Sequence, residues 1–153
     1  MKLTRKSLLR LVIVALAALV IFYFFLLPCV IWGESMAPTF PKRGFTFCWR
    51  GKYWFSAPCR GDVVVIRNSG REYYLKRIVA LPGETVEFRR GVLYVNGKPQ
   101  VEPYVLRKCV WELAPRKVEP KHYYVVGDNR SMPLEEHRFG QVDARRIVGV
   151  PLW

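Results

Sequence analysis

The chain opens on an apolar run and then changes rhythm. Residues 11–27 (LVIVALAALVIFYFFLL) carry no charge, and the apolar character continues to Trp32, interrupted by Pro28. A helix needs ~20 apolar residues to cross a bilayer, so the pattern predicts a membrane-spanning segment over 11–32. Beyond Trp32 no stretch sustains a helical period. Short runs rich in β-branched and aromatic residues alternate instead with Gly, Pro and Asn. They predict strands at 45–49, 62–67, 73–81, 85–89, 92–96, 109–112, 123–126 and 147–152. Arg90-Gly91 predicts a tight hairpin between the fourth and fifth of these, and Asn96-Gly97 a further turn. Many short strands cut by turn residues predict a mainly β, antiparallel sandwich or barrel-like domain over 33–153.

Charge gives the apolar run a direction. Residues 1–10 contain Lys2, Arg5, Lys6 and Arg10 and no acid. The positive-inside rule therefore puts this tail in the cytoplasm and 33–153 on the far side of a single-pass membrane protein. A cleavable secretory signal shares the basic start, but has a shorter core followed by small residues at the cut. Here the run ends in Phe-Phe-Leu-Leu-Pro-Cys-Val-Ile-Trp, so an uncleaved signal-anchor is expected. The net charge is +13; four of the 25 basic residues lie in the first ten, leaving 21 against 12 acidic beyond them. These cations are scattered along the chain, and a domain outside the cytoplasm rarely meets DNA. The expected partner is thus anionic membrane lipid and not nucleic acid.

Cysteine usage adds less. Cys29 falls in the apolar segment, where a small apolar residue packs well. A disulfide between Cys48 and Cys59 across a plausible loop is open, as is pairing of Cys109 with either. No pair has metal-ligand spacing, and His122 and His137 lack cysteine or acidic companions at a suitable interval, so neither metal nor cofactor is expected.

Two stretches carry a chemical anomaly. On 73–81 alternate residues share a face, which sets Tyr74, Lys76 and Ile78 on one side and Leu75, Arg77 and Val79 on the other. A lysine in an apolar strand is costly to bury as an ammonium. A solvent-facing or edge strand is the ordinary explanation, and the strand by itself leaves both readings open. The other anomaly is GESMAPT at 33–39, directly after the apolar run, which on its own reads as a surface loop. A serine hydroxyl is a poor nucleophile until a base takes its proton. Lysine can be that base when neutral, and an apolar setting lowers its pKa from ~10.4 toward that state.

Four stretches together resemble the type I signal peptidases, the Ser/Lys-dyad S26 family. Residues 33–39 (GESMAPT) resemble the family's serine box, and Arg60-Gly61-Asp62-Val63-Val64 its RGD-containing strand. Residues 76–84 (KRIVALPGE) are similar to the lysine box, and 126–131 (VGDNRS) to the GDNR box. They stand in the family's order behind an N-terminal anchor, and the likeness covers essentially the whole chain. It implies a membrane-bound serine endopeptidase that removes signal peptides from secretory preproteins at the bacterial cytoplasmic (inner) membrane, with its catalytic domain on the extracytoplasmic side. It implies Ser35 as nucleophile and Lys76 as general base, with no cofactor. Asp128 and Arg130 are implied as a salt-bridged support for the lysine strand, and Met36, Pro38, Tyr74 and Ile78 as substrate-binding positions.

The sequence departs from that pattern in two places. Some members carry a serine two residues before the nucleophile, whose hydroxyl helps to hold the oxyanion; Gly33 stands there, leaving backbone N–H groups, chiefly that of Ser35. The GDNR box usually continues into Ser, Asp and Arg, where this chain has Pro133, Glu135 and His137. Glu135 keeps the acid, and Ser131 substitutes for the hydroxyl that Pro133 lacks. Three other readings compete. Self-cleaving repressor proteases share the Ser/Lys chemistry but carry a DNA-binding domain where this chain has an apolar segment. A processing peptidase specific for pilins or conjugation proteins, and a non-catalytic membrane-anchored β module, are the alternatives within and outside enzymes.

Overall fold

The computed structural model describes residues 4–68, 72–107, 109–133 and 140–152. Its apolar run does not form the single 11–32 segment expected. Helix α1 spans Arg5–Phe25, capped by the Thr4 hydroxyl accepting from the Ser7 amide, and Leu26–Trp32 continue as strand β1. The break follows from Pro28, which has no N–H to give a helix and disfavours helical geometry at Leu27. The residues after it, Val30, Ile31 and Trp32, favour a pleated strand. At 21 residues, α1 is about 32 Å long, which matches a hydrocarbon core of ~30 Å. None of its residues is buried. Its last turn is held by aromatic contacts: Phe22 meets Phe47 edge-on at 5.3 Å, and Phe25 stacks on Trp49 at 5.4 Å.

Ten further strands follow: β2 (Arg43–Trp49), β3 (Val63–Arg67), β4 (Tyr73–Ala80), β5 (Thr85–Arg89), β6 (Val92–Val95), β7 (Lys98–Pro99), β8 (Leu113–Lys117), β9 (His122–Val126), β10 (Gly140–Asp143) and β11 (Ile147–Pro151). They build a seven-stranded sheet in the order β1-β2-β11-β3-β4-β9-β10 and a four-stranded sheet in the order β7-β6-β5-β8, every pair antiparallel. The mainly β expectation holds. Both turns fall where Gly and Asn put them, with Arg90 (φ 47), Gly91 (φ 75), Asn96 (φ 52) and Gly97 (φ 74) all left-handed.

The strand expected at 109–112 is not formed. The Trp111 side chain is buried and donates its indole N–H to the Met132 carbonyl, and the Gly91 amide bonds the Trp111 carbonyl. This segment is pinned by its side chain and not by a ladder, so regular pairing starts only at Leu113.

Three packed clusters account for the shape. Cys29, Met36, Phe40, Cys48, Val65 and Leu75 fill the space between β1–β2 and β3–β4. Val64, Ile66, Ile78, Tyr123, Val125 and Val142 form a second cluster, and the four-stranded sheet closes over a third that includes Phe88, Leu93, Trp111, Val118 and Tyr124. Strand β4 contributes to all three, through Leu75, Ile78 and Val79. It is therefore packed on both faces. Strand β1 is an outer strand of its sheet.

Candidate active site

The segment that follows β1 holds the serine. Gly33 has φ +117, a conformation that L side chains rarely adopt, and its amide bonds the Lys42 carbonyl at 2.9 Å. A serine at this position would be strained, so the glycine suits the backbone it occupies. The chain then tightens: the Ala37 amide bonds the Glu34 carbonyl, and the Phe40 amide bonds the Met36 carbonyl. Met36 and Phe40 are buried anchors, with Ser35 half-buried between them and the surface.

Opposite lies Lys76. It sits on β4 with only 2% of its surface exposed. Ser35 and Lys76 line one cleft of about 710 Å³, together with Pro28, Cys29, Val30, Trp32, Gly33, Glu34, Glu72, Tyr73, Tyr74 and Met132. A narrower hollow alongside adds Ile31, Met36, Val65 and Leu75 to the wall around Ser35. The wall is largely apolar and comes mostly from β1 and β4. This arrangement brings a hydroxyl and a water-shielded amine to one concave surface.

A polar frame ties the serine segment to the lysine strand. The Asp128 carboxylate is fully buried and accepts Arg77 Nε at 2.8 Å, Arg77 Nη2 at 2.6 Å and the Thr39 hydroxyl at 2.5 Å. One carboxylate thus joins β4, next to Lys76, to the segment four residues after Ser35. The Asn129 amide reaches the Ser35 carbonyl at 3.0 Å, and its side-chain nitrogen the Glu34 carbonyl at 3.1 Å. Arg77 also lies over the Tyr104 ring at 3.9 Å. Burial, followed by the neighbouring Glu102, pushes the Tyr104 phenol well above its ordinary range.

Several expected residues sit elsewhere. Asp128 supports the lysine strand by an ion pair, but its partner is Arg77; Arg130 pairs with Glu102 through both terminal nitrogens and donates Nε to the Gly127 carbonyl. Ile78 is 0% exposed in the core cluster with Val64 and Tyr123, so it does not face the cleft. Pro38 lines a separate hollow with Glu34, Ala37, Lys42, Leu106, Arg107, Asp128 and Asn129. Tyr74 and Met36 do line the space around Ser35. Ser131 is exposed and donates its hydroxyl to Asn129 Oδ1 at 2.6 Å. Glu135 and His137 lie outside the described residues. All four cysteines are free; Cys48 is buried and Cys59 exposed, so the Cys48–Cys59 bridge is not formed. Arg77, Thr39 and Asn129 have no expected role in the sequence pattern, although they stand inside the lysine, serine and GDNR boxes.

A family model described as "Signal peptidase, peptidase S26" matches residues 4–152. The chain belongs to this family. It is 34% identical over 161 residues to signal peptidase I S of Bacillus subtilis, covering 95% of this chain and 87% of that protein. It is 31% identical over 150 residues to signal peptidase I of Bacillus licheniformis, covering 90% and 81%. A crystal structure of a signal peptidase I from Enterococcus faecalis superposes with a TM-score of 0.53 at 27% identity, covering 62% of this chain and 97% of that one. With α1 ahead of its β domain, this member of the family is a membrane-anchored serine endopeptidase.

Proposed function

We propose that this peptidase cuts signal peptides from secretory preproteins with Ser35 as nucleophile and Lys76 as general base. The observation that carries the reading is a single cleft lined by both Ser35 and a lysine with 2% of its surface exposed. To accept a proton Lys76 must be neutral, and exclusion from water favours that form. Lys76 Nζ takes the Ser35 proton as Oγ attacks the carbonyl carbon of the scissile bond. The oxyanion is held by backbone N–H, chiefly that of Ser35. Lys76 then returns the proton to the departing amine, leaving an acyl-serine. A water deprotonated by Lys76 hydrolyses the ester and restores both side chains.

The substrate reading rests on β1. As an outer strand lining the cleft, it offers unpaired backbone groups to an extended peptide, whose alternate side chains then point at the wall. Val30, Tyr73 and Tyr74 leave shallow room there, which suits small residues immediately before the cut and two positions upstream. The β domain faces the extracytoplasmic side of the cytoplasmic membrane, with exposed Trp32, Trp54 and Phe55 near the end of α1 against lipid.

Incubation of the purified full chain with a mixture of preproteins, with cut sites mapped by mass spectrometry, tests the substrate. Cleavage after small residues at those two positions is expected. Efficient cleavage after leucine or phenylalanine there would overturn the substrate reading.

A further inference from the structure

Behind the cleft wall lies chemistry that peptide hydrolysis does not use. Cys29 on β1 lines the space beside Ser35, with 7% of its surface exposed, while Cys48 on β2 is completely buried. The two strands pair antiparallel, with Leu27 opposite Cys48 and Cys29 opposite Thr46. The cysteines are therefore diagonal neighbours on one face of the ribbon. Both pack in the cluster that holds Met36, the residue after Ser35. The Cys29 thiol donates to the Leu27 carbonyl at 3.4 Å. The remaining cysteines stand apart, with Cys59 donating to the Ala57 carbonyl and Cys109 to that of Gly91.

We propose that Cys29 and Cys48 form a reversible thiol–disulfide switch in the wall of the cleft, oxidised by a small disulfide compound that reaches Cys29 from the substrate side. The Cys29 thiolate attacks one sulfur of the oxidant, forming a mixed disulfide and releasing the oxidant's other half as a thiolate. Cys48 gives its proton to that thiolate and attacks the Cys29 sulfur, expelling the second half as a thiolate, which takes up the Cys29 proton. The two cysteines lose two electrons, and the oxidant is reduced to two thiols.

The order of attack follows from access and acidity. Cys29 alone borders the cleft. Hydrogen bonding with Cys48 lowers the Cys29 pKa against the opposing effect of burial, while the same interaction and burial raise the pKa of Cys48. Cys29 is thus the attacking thiol and Cys48 the resolving one. Diagonal Cβ atoms stand wider than the ~3.5–4.5 Å of a relaxed disulfide, so closing the bond draws the strands together and leaves it readily reduced. Oxidation would clamp β1, the peptide-binding edge, to β2.

The test uses the purified full chain in detergent, incubated with oxidised or reduced glutathione, quenched with an alkylating agent and digested for mass spectrometry. A peptide linking Cys29 to Cys48 is expected under oxidation and lost on reduction. In Cys29→Ser, Cys48 is expected to stay an unmodified thiol until the protein is unfolded. Oxidation should raise the melting temperature of the wild type and leave that of Cys29→Ser unchanged. Cys29 and Cys48 remaining fully alkylatable after oxidation and unfolding, or Cys29 carrying glutathione while Cys48 stays free, would overturn the proposal. Neither readout depends on peptide cleavage, so the result stands apart from the substrate reading.

Discussion

Asp128 shows how much of the site rests on one buried charge. Its carboxylate meets Arg77 on β4 and Thr39 beyond the serine, and none of its side chain touches solvent. Arg77→Met would remove the cation and keep most of the side-chain volume. Leaving one partner of a buried pair unmatched costs about 3–5 kcal/mol. A denaturant melt should show a loss of that size; a loss under about 1 kcal/mol would mean that the pair does not hold β4 to the serine segment. The sequence marked Asp128 and Arg130 as supports, but their partners lie 51 and 28 positions away. No local pattern links such distant charges. Ser35 and Lys76 were legible as candidates because each sits in a contiguous box. Ile78 was misread because alternation separates two faces of a strand, and on β4 both faces are packed.

At the scale of elements, the strands with β-branched runs and glycine turns were legible, and those without were not. Strand β1 is hidden in the apolar run, because a short apolar stretch beside a helix has no period of its own to announce it. Strands β7 and β10 are two and four residues long and polar enough to pass for turns. The β5–β6 turn, by contrast, is specified almost residue by residue. A Cβ on Gly91 would lie 1.9 Å from the Cys109 carbonyl oxygen, at φ +75. Gly91→Ala should therefore destabilise the protein by more than ~1 kcal/mol, since it combines a disfavoured backbone with a clash against main chain. A melting temperature equal to wild type would show that the 109–112 segment yields at no cost.

The whole molecule is a β domain carried on one apolar helix, and the basic residues at the start of that helix predict a cytoplasmic N-terminus. Protease added to spheroplasts should digest the β domain. Digestion only in vesicles that expose the cytoplasmic face would reverse the topology. If Ser35 and Lys76 act as one unit, the losses from changing each fail to add. The measurement is the initial rate of preprotein cleavage by the full chain in lipid vesicles for wild type, Ser35→Ala, Lys76→Ala and the double variant, each confirmed folded by its melting curve. Each single change should lower the rate by ~10²–10⁴-fold or more, and the double variant should be no slower than the slower single one. A folded Lys76→Ala enzyme near the wild-type rate, or losses that multiply in the double variant, would show that Ser35 and Lys76 do not work together.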